Sequence, residues 1–396
     1  MRMARERERF AMMTRLAVSG YRSIRDLTLA LGPLNIVTGA NGSGKSSLYR
    51  SLRLLAEVAQ RRLIASLARD GGLPSVLWAG PETISRDMRA GRVPVQGTVR
   101  KGPVSLRLGF AGPDFGYAID LGPPPPDYGF VGDPEIKVEA MWTGELLRRS
   151  AVFAERRGRI VNLRATDTGE WRRSPLEVGR FDSMVSHAAD PANGLELLLM
   201  RERMRDWRFY DALRTDQDAP ARRPQVKTYT PVMAADGADL LAAIATIRKF
   251  GDGAALAHAI DDAFPGSTIT MTDAGSGHAT LAMEQPGMLR PLGAAELSDG
   301  TLRYILLVAA LLSPQPPELM VLNEPEANLH PALLPALARL LGAAAKTCQI
   351  IVVSHSQPLV DALREGDGVH EIALEKDMGE TRTAGQVAPK WEWPKR

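Results

Sequence analysis

The stretch Gly39-Ala40-Asn41-Gly42-Ser43-Gly44-Lys45-Ser46-Ser47 limits this chain more than any other. It fits the pattern G-x-x-x-x-G-K-[ST] and stands between a short, nearly all-apolar run, residues 34–38, and a segment of helical spacing. Strand, glycine loop and helix in that order form a phosphate-binding unit. Glycines let the backbone wrap so that successive N–H groups point inward at phosphate oxygens, and the helix N-terminus adds partial positive charge. In such a loop Lys45 reaches the β- and γ-phosphates and the Ser46 hydroxyl ligates Mg²⁺.

The flanking pattern predicts how that loop is housed. Residues 14–21 and 24–31 alternate apolar and polar side chains as strands do, and 46–67 reads as one helix through Leu48, Leu52, Leu55, Val58 and Leu63. Short alternating runs broken by Gly and Pro follow. Residues 95–99, 104–108 and 117–121 are expected to form antiparallel strands, with the proline-rich 122–127 as a loop at the sheet edge. Helical spacing returns at 195–213, 238–250 and 253–264, and two alternating runs follow at 267–272 and 278–283. Residues 298–312 are apolar and helical in pattern. Beyond them come a strand at 319–322, a helix at 332–345, a strand at 349–353, a helix at 357–364 and a final strand pair. Strand–helix alternation at both ends implies one α/β core interrupted by a long β-rich and helical insertion.

Three stretches carry polar chemistry at the ends of these elements. Leu297-Ser298-Asp299-Gly300-Thr301 opens the apolar helix, although Ser-Asp-Gly alone is ordinary N-cap material. The apolar strand 319–322 runs into Asn323-Glu324-Pro325. In phosphate-loop enzymes such a strand delivers a carboxylate to metal and water, and it is expected to lie beside the loop strand. The strand 350–353 ends in Ser354-His355.

In this order and spacing the pieces resemble the nucleotide-binding domain of the ABC ATPases, whose signature is Leu-Ser-x-Gly. The resemblance is nearest to the RecF/SMC-like branch and the AAA-type ATPases related to the overcoming-lysogenisation-defect proteins. It rests on Tyr21-Arg22-Ser23-Ile24, on Ser298 to Arg303, and on Glu324-Pro325-Glu326-Ala327-Asn328-Leu329-His330-Pro331. It implies an α/β P-loop NTPase fold with 14–92 and 291–388 as the two parts of the ATPase core and 93–290 as the insertion. By that resemblance Gly39, Ala40, Asn41, Gly42, Ser43, Gly44, Lys45, Ser46 and Ser47 hold ATP. Ser46 and Asn323 serve Mg²⁺, Glu324 is the general base, and His355 contacts the γ-phosphate. Ser298 and Gly300 would reach a nucleotide on a second copy, so a homodimer is the simplest complete assembly. DNA maintenance or phage defence, with DNA or a separate effector as partner, is the implied setting. The competing expectation is an ATP-gated scaffold that binds without turnover, while a transporter ATPase fits poorly with so long an insertion.

The chain departs from the family pattern in three ways. Asn323 replaces the usual Asp, and an amide brings no negative charge to the metal, so slow turnover is expected. The glutamine expected to line the metal site has two candidates, Gln60 inside the first helix and Gln96 near a strand, with Gln96 preferred. About 40 residues follow His355, too few for the nuclease domain of the lysogenisation-defect proteins.

Composition excludes other classes. Lys+Arg 49 against Asp+Glu 46 gives +3, which by itself argues for no nucleic-acid partner. Nine arginines among residues 145–180, Arg156, Arg157 and Arg159 included, offer either a DNA-contacting patch or a solvated edge in an arginine-rich chain. Arg201, Arg203, Arg205 and Arg208 read as one charged helix face. The single cysteine, Cys348, excludes a disulfide framework or cysteine-rich zinc site. The longest strongly apolar run, 305–312, falls short of the roughly 20 residues a membrane span needs. The charged first thirteen residues do not read as a secretory signal, and a cytoplasmic location is expected.

Overall fold

The computed structural model describes residues 12–82, 85–94, 97, 102–165, 168–189, 194–275, 277–366 and 368–396. They divide into two compact units: one of residues up to 32, 38–207 and 372–396, the other of 33–37 and 208–371. Among the described residues no helix is long and apolar enough to cross a membrane.

The first unit is built on an eight-stranded antiparallel sheet. Strands β1 (Arg15–Tyr21) and β2 (Ile24–Ala30) form a hairpin at one end. After β3 (Leu34–Thr38), the strands β4 (Leu106–Ala111), β5 (Phe115–Gly122), β6 (Glu135–Thr143), β7 (Val152–Arg157), β8 (Ile160–Arg164) and β9 (Trp171–Arg173) extend that hairpin in the order β2-β1-β4-β5-β6-β7-β8-β9. The proline-rich loop therefore joins β5 to β6, two interior strands, rather than sitting at a sheet edge. Residues 95, 96, 98 and 99 of the expected strand, Gln96 with them, lie outside the described residues.

Helix α1 (Lys45–Ala59) packs across β1 and β4. The single helix expected over 46–67 is in fact two, because Arg61 takes φ +60° and ends the hydrogen-bond ladder. The chain resumes as α2 (Leu63–Arg69), followed by the helical turns α3 (Leu73–Val76), α4 (Arg86–Arg89) and α5 (Met184–His187). Helix α6 (Leu195–Asp206) then packs on α1.

Arg156 overturns part of the reading of the arginine cluster. Its side chain is fully buried, with Nη1 3.0 Å from Glu139 Oε2 and Nε donating to the Gly158 carbonyl at 2.7 Å. It is a core residue of the sheet and cannot face DNA. Arg157 and Arg159 are about half exposed and stand near Glu155 and Glu177.

The second unit holds the parallel sheet. Strand β10 (Arg208–Tyr210) forms its edge; helix had been expected through 195–213, but the chain turns extended at Trp207 (ψ 136°) and buries Phe209 and Tyr210. Arg208 is thus not on the charged helix face. Strand β11 (Gln225–Val226), helices α7 (Leu240–Phe250) and α8 (Gly253–Ala263), and strands β12 (Thr268–Gly275), β13 (His278–Glu284) and β14 (Leu292–Gly293) lead to helix α9 (Asp299–Leu311). Every residue of α9 from Leu302 to Leu311 is buried, as expected of a helix that is apolar all round except at Arg303 and is wrapped by α7, α8 and α10 (Leu334–Ala344).

Strands β15 (Leu319–Asn323) and β16 (Gln349–Val353) complete the sheet in the order β10-β15-β16-β3, all parallel. The carboxylate strand was expected beside the loop strand, yet β16 lies between them. Asn323 stands opposite Val353, and Val353 opposite Val37. After α11 (Gln357–Arg364) the chain finishes with β17 (Val369–Asp377) and β18 (Glu380–Thr383), which form an antiparallel hairpin in the first unit over Leu374–Thr383.

Candidate functional site

In the first unit the glycine loop is held by backbone constraints that only glycine meets. Gly39, Gly42 and Gly44 have φ of 143°, 80° and 111°. A Cβ on Gly39 would lie 2.3 Å from the Leu374 carbonyl oxygen, and one on Gly44 would lie 2.1 Å from Thr381 Oγ1. Thr381 fastens the loop to the β17–β18 hairpin. Its hydroxyl donates to the Ser43 carbonyl at 2.9 Å and lies 2.8 Å from Ser23 Oγ. The resemblance had been carried in part by Ser23, and this contact supplies a physical role for it.

The loop presents the features an anion needs. Gly44 caps α1 without any side-chain acceptor, so the first-turn N–H groups of the helix have no capping side chain. Ser43 Oγ is buried and has no hydrogen-bond partner among the described residues. The Lys45 ammonium folds back on its own loop, donating to the carbonyls of Gly39 at 2.5 Å and Ala40 at 3.2 Å. Ala40, Asn41, Gly42 and Ser46 are exposed, and Ser47 is half-buried. This donor set of backbone amides, an ammonium and three hydroxyls, with no carboxylate among residues 39–47, suits a polyphosphate with its magnesium ion.

In the second unit, the polar residues cluster where β15 and β16 end. Glu324 adopts φ +48°, unusual for a residue with a Cβ, while its N–H remains bound to the Val353 carbonyl at 2.8 Å. The kink turns its side chain, just under half exposed, to within 3.4 Å of His355 Nδ1. Buried Arg303 supports the turn from below, Nη2 donating to the Glu324 carbonyl at 2.9 Å. Burial pulls this guanidinium below its ordinary pKa, and attraction to Glu326 and Glu324 opposes that shift.

The Ser298 turn is shaped in the same unit. Ser298 caps α9 through the Thr301 N–H at 3.1 Å, and its hydroxyl is exposed. Gly300 passes so near the 328 backbone that a Cβ would lie 2.6 Å from the Asn328 carbonyl. Sequence reasoning missed Arg222. Its guanidinium gathers the carbonyls of Thr215, Ala294 and Leu297 and pairs with Asp299 at 2.7 Å, fixing the turn. No local pattern marks it, since the groups it binds lie 72–77 positions away as well as nearby. The structure thus brings Glu324, His355 and Asn323 to one edge of the parallel sheet, and the loop residues 39–47 into one cradle. Among the described residues no cluster of three or more His, Cys, Asp or Glu forms a metal site of its own.

Comparison with known proteins bears on the family and the fold of the chain. The family described as "AAA domain, putative AbiEii toxin, Type IV TA system" matches residues 155–362, and a second family, "AAA domain", matches residues 15–56. No curated protein matches the chain. Among solved structures, the Smc head domain with an extended coiled coil bound to the C-terminal domain of ScpA, derived from Pyrococcus furiosus, is 12% identical with a TM-score of 0.50, covering 94% of this chain and 96% of that one. The SMC head domain from Thermotoga maritima is 14% identical with a TM-score of 0.48, over 94% and 98% of the two chains. At such identities the likeness is one of fold, that of the ABC-type P-loop ATPases. Since the first of the two families spans more than half of its length, the chain belongs to the AAA domain ATPases of that description.

Proposed function

We propose that this protein binds Mg-ATP at residues 39–47 and hydrolyses it slowly, working as a homodimer in DNA maintenance or phage defence with DNA or a separate effector as partner. The observation that carries the reading is the loop itself, three glycines at positive φ leading into a helix without a side-chain cap. In this reading Lys45 exchanges its two loop carbonyls for phosphate oxygens, which removes no buried partner it cannot replace. Glu324, the more exposed of the two carboxylates near His355, takes the proton of the attacking water, and His355 faces the terminal phosphate. Bound magnesium, served by Ser46 and Asn323, would neutralise charge on the transferred group. Ser298 and Gly300 complete a nucleotide site on the second copy. The division into core segments 14–92 and 291–388 around an insertion belongs to the same proposal.

A second reading, an ATP-gated scaffold without turnover, draws on Asn323, whose neutral amide ends β15 where a carboxylate would strengthen metal binding. One assay decides between them. Multiple-turnover phosphate release that disappears in Glu324→Gln, with ATP binding retained, is the enzyme's result. Tight binding with no release from the unaltered protein is the scaffold's. Absence of ATP binding at saturating nucleotide and magnesium would overturn both.

A further inference from the structure

We propose that Glu326 is a positioning residue that sets the tautomer and orientation of His355, a proposal resting on the reading of His355 as the phosphate-facing group. Glu326 sits two residues past Glu324 and is 8% exposed. Its Oε1 accepts from Ser354 Oγ at 2.5 Å, lies 3.4 Å from the His355 backbone nitrogen, and is 3.9 Å from His355 Nδ1. Its Oε2 is buried with no hydrogen-bond partner among the described residues. The Ser354 hydroxyl in turn accepts from the Ser356 N–H at 3.0 Å. Residues 354–356 are therefore drawn onto one carboxylate.

A buried carboxylate with an unpartnered oxygen is costly, and packing alone does not call for it. A leucine or glutamine would fill the space at lower cost. What the charge does here follows from where the imidazole stands. Both Glu324 and Glu326 approach its Nδ1 edge, at 3.4 and 3.9 Å, and the ring is otherwise half exposed. A bare lone pair on Nδ1 would face two negative groups, so the proton belongs on Nδ1. Nε2 is then the free position. An imidazole whose one nitrogen is committed to a carboxylate presents the other in a fixed direction. Glu324 alone cannot secure this, because its own side chain is nearly half exposed and is needed elsewhere; Glu326 is buried and also accepts from the backbone N–H of His355.

The test uses the full-length protein. Histidine ¹⁵N–¹H spectra at a pH of about 8, where an ordinary imidazole is neutral, with His355 assigned from His355→Gln, are expected to show the Nδ1–H tautomer. Glu326→Gln keeps the size and an acceptor for Ser354 but loses the charge, and the Nδ1–H preference should fall. In turnover, Glu326→Gln should lower kcat about tenfold, in the range seen for partners that orient a functional histidine, with KM within about twofold. The same substitution should add no further loss in a His355→Gln background. An unchanged tautomer in Glu326→Gln, or losses that multiply in the double variant, would overturn the proposal. Should Glu326→Gln fail to fold, Ser354→Ala gives the reading: the tautomer is expected to persist, and its loss would assign the hold to the hydroxyl and defeat the role given to Glu326. Nucleotide-free spectra decide the point even if the protein never turns over ATP, so failure of the ATPase reading is distinguishable from failure of this one.

Discussion

Arg156→Met is the substitution whose consequence the structure specifies most fully. The guanidinium has no solvent exposure and neither does its partner Glu139. It donates to Glu139 at 3.0 Å and to the carbonyls of Gly158 at 2.7 Å, Gly179 at 2.8 Å, Arg180 at 3.3 Å and also Asp182. Methionine fills the stem but leaves those acceptors bare and the carboxylate without its counter-charge. Glu139 retains the Tyr117 hydroxyl at 2.6 Å, the Met184 N–H at 2.9 Å and the Ser183 hydroxyl, so the loss is partial. Removing one member of a buried ion pair costs about 3–5 kcal/mol. For a unit of this size that amounts to a fall in Tm of roughly 10 °C. All six tryptophans, Trp78, Trp142, Trp171, Trp207, Trp391 and Trp393, lie in the first unit, so tryptophan fluorescence during urea unfolding follows that unit alone. The double variant Arg156→Met with Glu139→Gln removes both charges and should recover part of the loss. A cost below about 1 kcal/mol for Arg156→Met, set against the usual range for a broken buried pair, would refute the claim that this arginine ties residues 179–182 to the sheet.

Further outcomes follow from single groups. Gly44→Ala places a Cβ 2.1 Å from Thr381 Oγ1 at φ 111°. The backbone term alone is about 1–3 kcal/mol, and ATP affinity by calorimetry should fall at least about tenfold, whereas unchanged affinity would mean the loop is not the nucleotide cradle. Asn323→Asp should raise phosphate release if the missing carboxylate limits turnover; an unaltered rate would place the limit elsewhere. If β7 to β9 contact DNA, charge reversal at exposed Arg157 and Arg159 should weaken binding and flatten its salt dependence, and a silent result retires that surface. Cys348 is buried and its thiol is pushed up to about 12 by that burial. Labelling with a thiol reagent at pH 8 should be negligible until the second unit unfolds, and fast native labelling would contradict its packing.

How far such features can be read before a structure exists depends on the range of the interactions that make them. The strands β1 to β3, the loop and the start of α1 are legible because their signals are local: period-two alternation, three glycines, and an apolar stripe at helical spacing. The alternating runs at 267–272 and 278–283, which lie in the region of β12 and β13, are legible for the same reason. Arg61 is not, since nothing in a run of helix-compatible residues announces a left-handed φ. Strand β10 is three residues long and pairs with β15, some 110 positions away; its partner, not its own propensity, makes it a strand. The interposed β16 was invisible because strand order is decided by packing across the sheet. Arginine shows the same limit most clearly. Arg156, Arg157 and Arg159 look alike as letters, yet one is sealed against Glu139 and the others face solvent. At the candidate site, Glu324 and His355 could be named from the ends of their strands, while Glu326, Ser354 and Arg222 acquire roles only through contacts across 28 and 72–77 positions. The groups that would touch a nucleotide sit at motif positions, and the groups that aim them are distributed through the fold. For that reason variants at Glu326 and Arg222 test the arrangement of the site more stringently than a further substitution in the glycine loop.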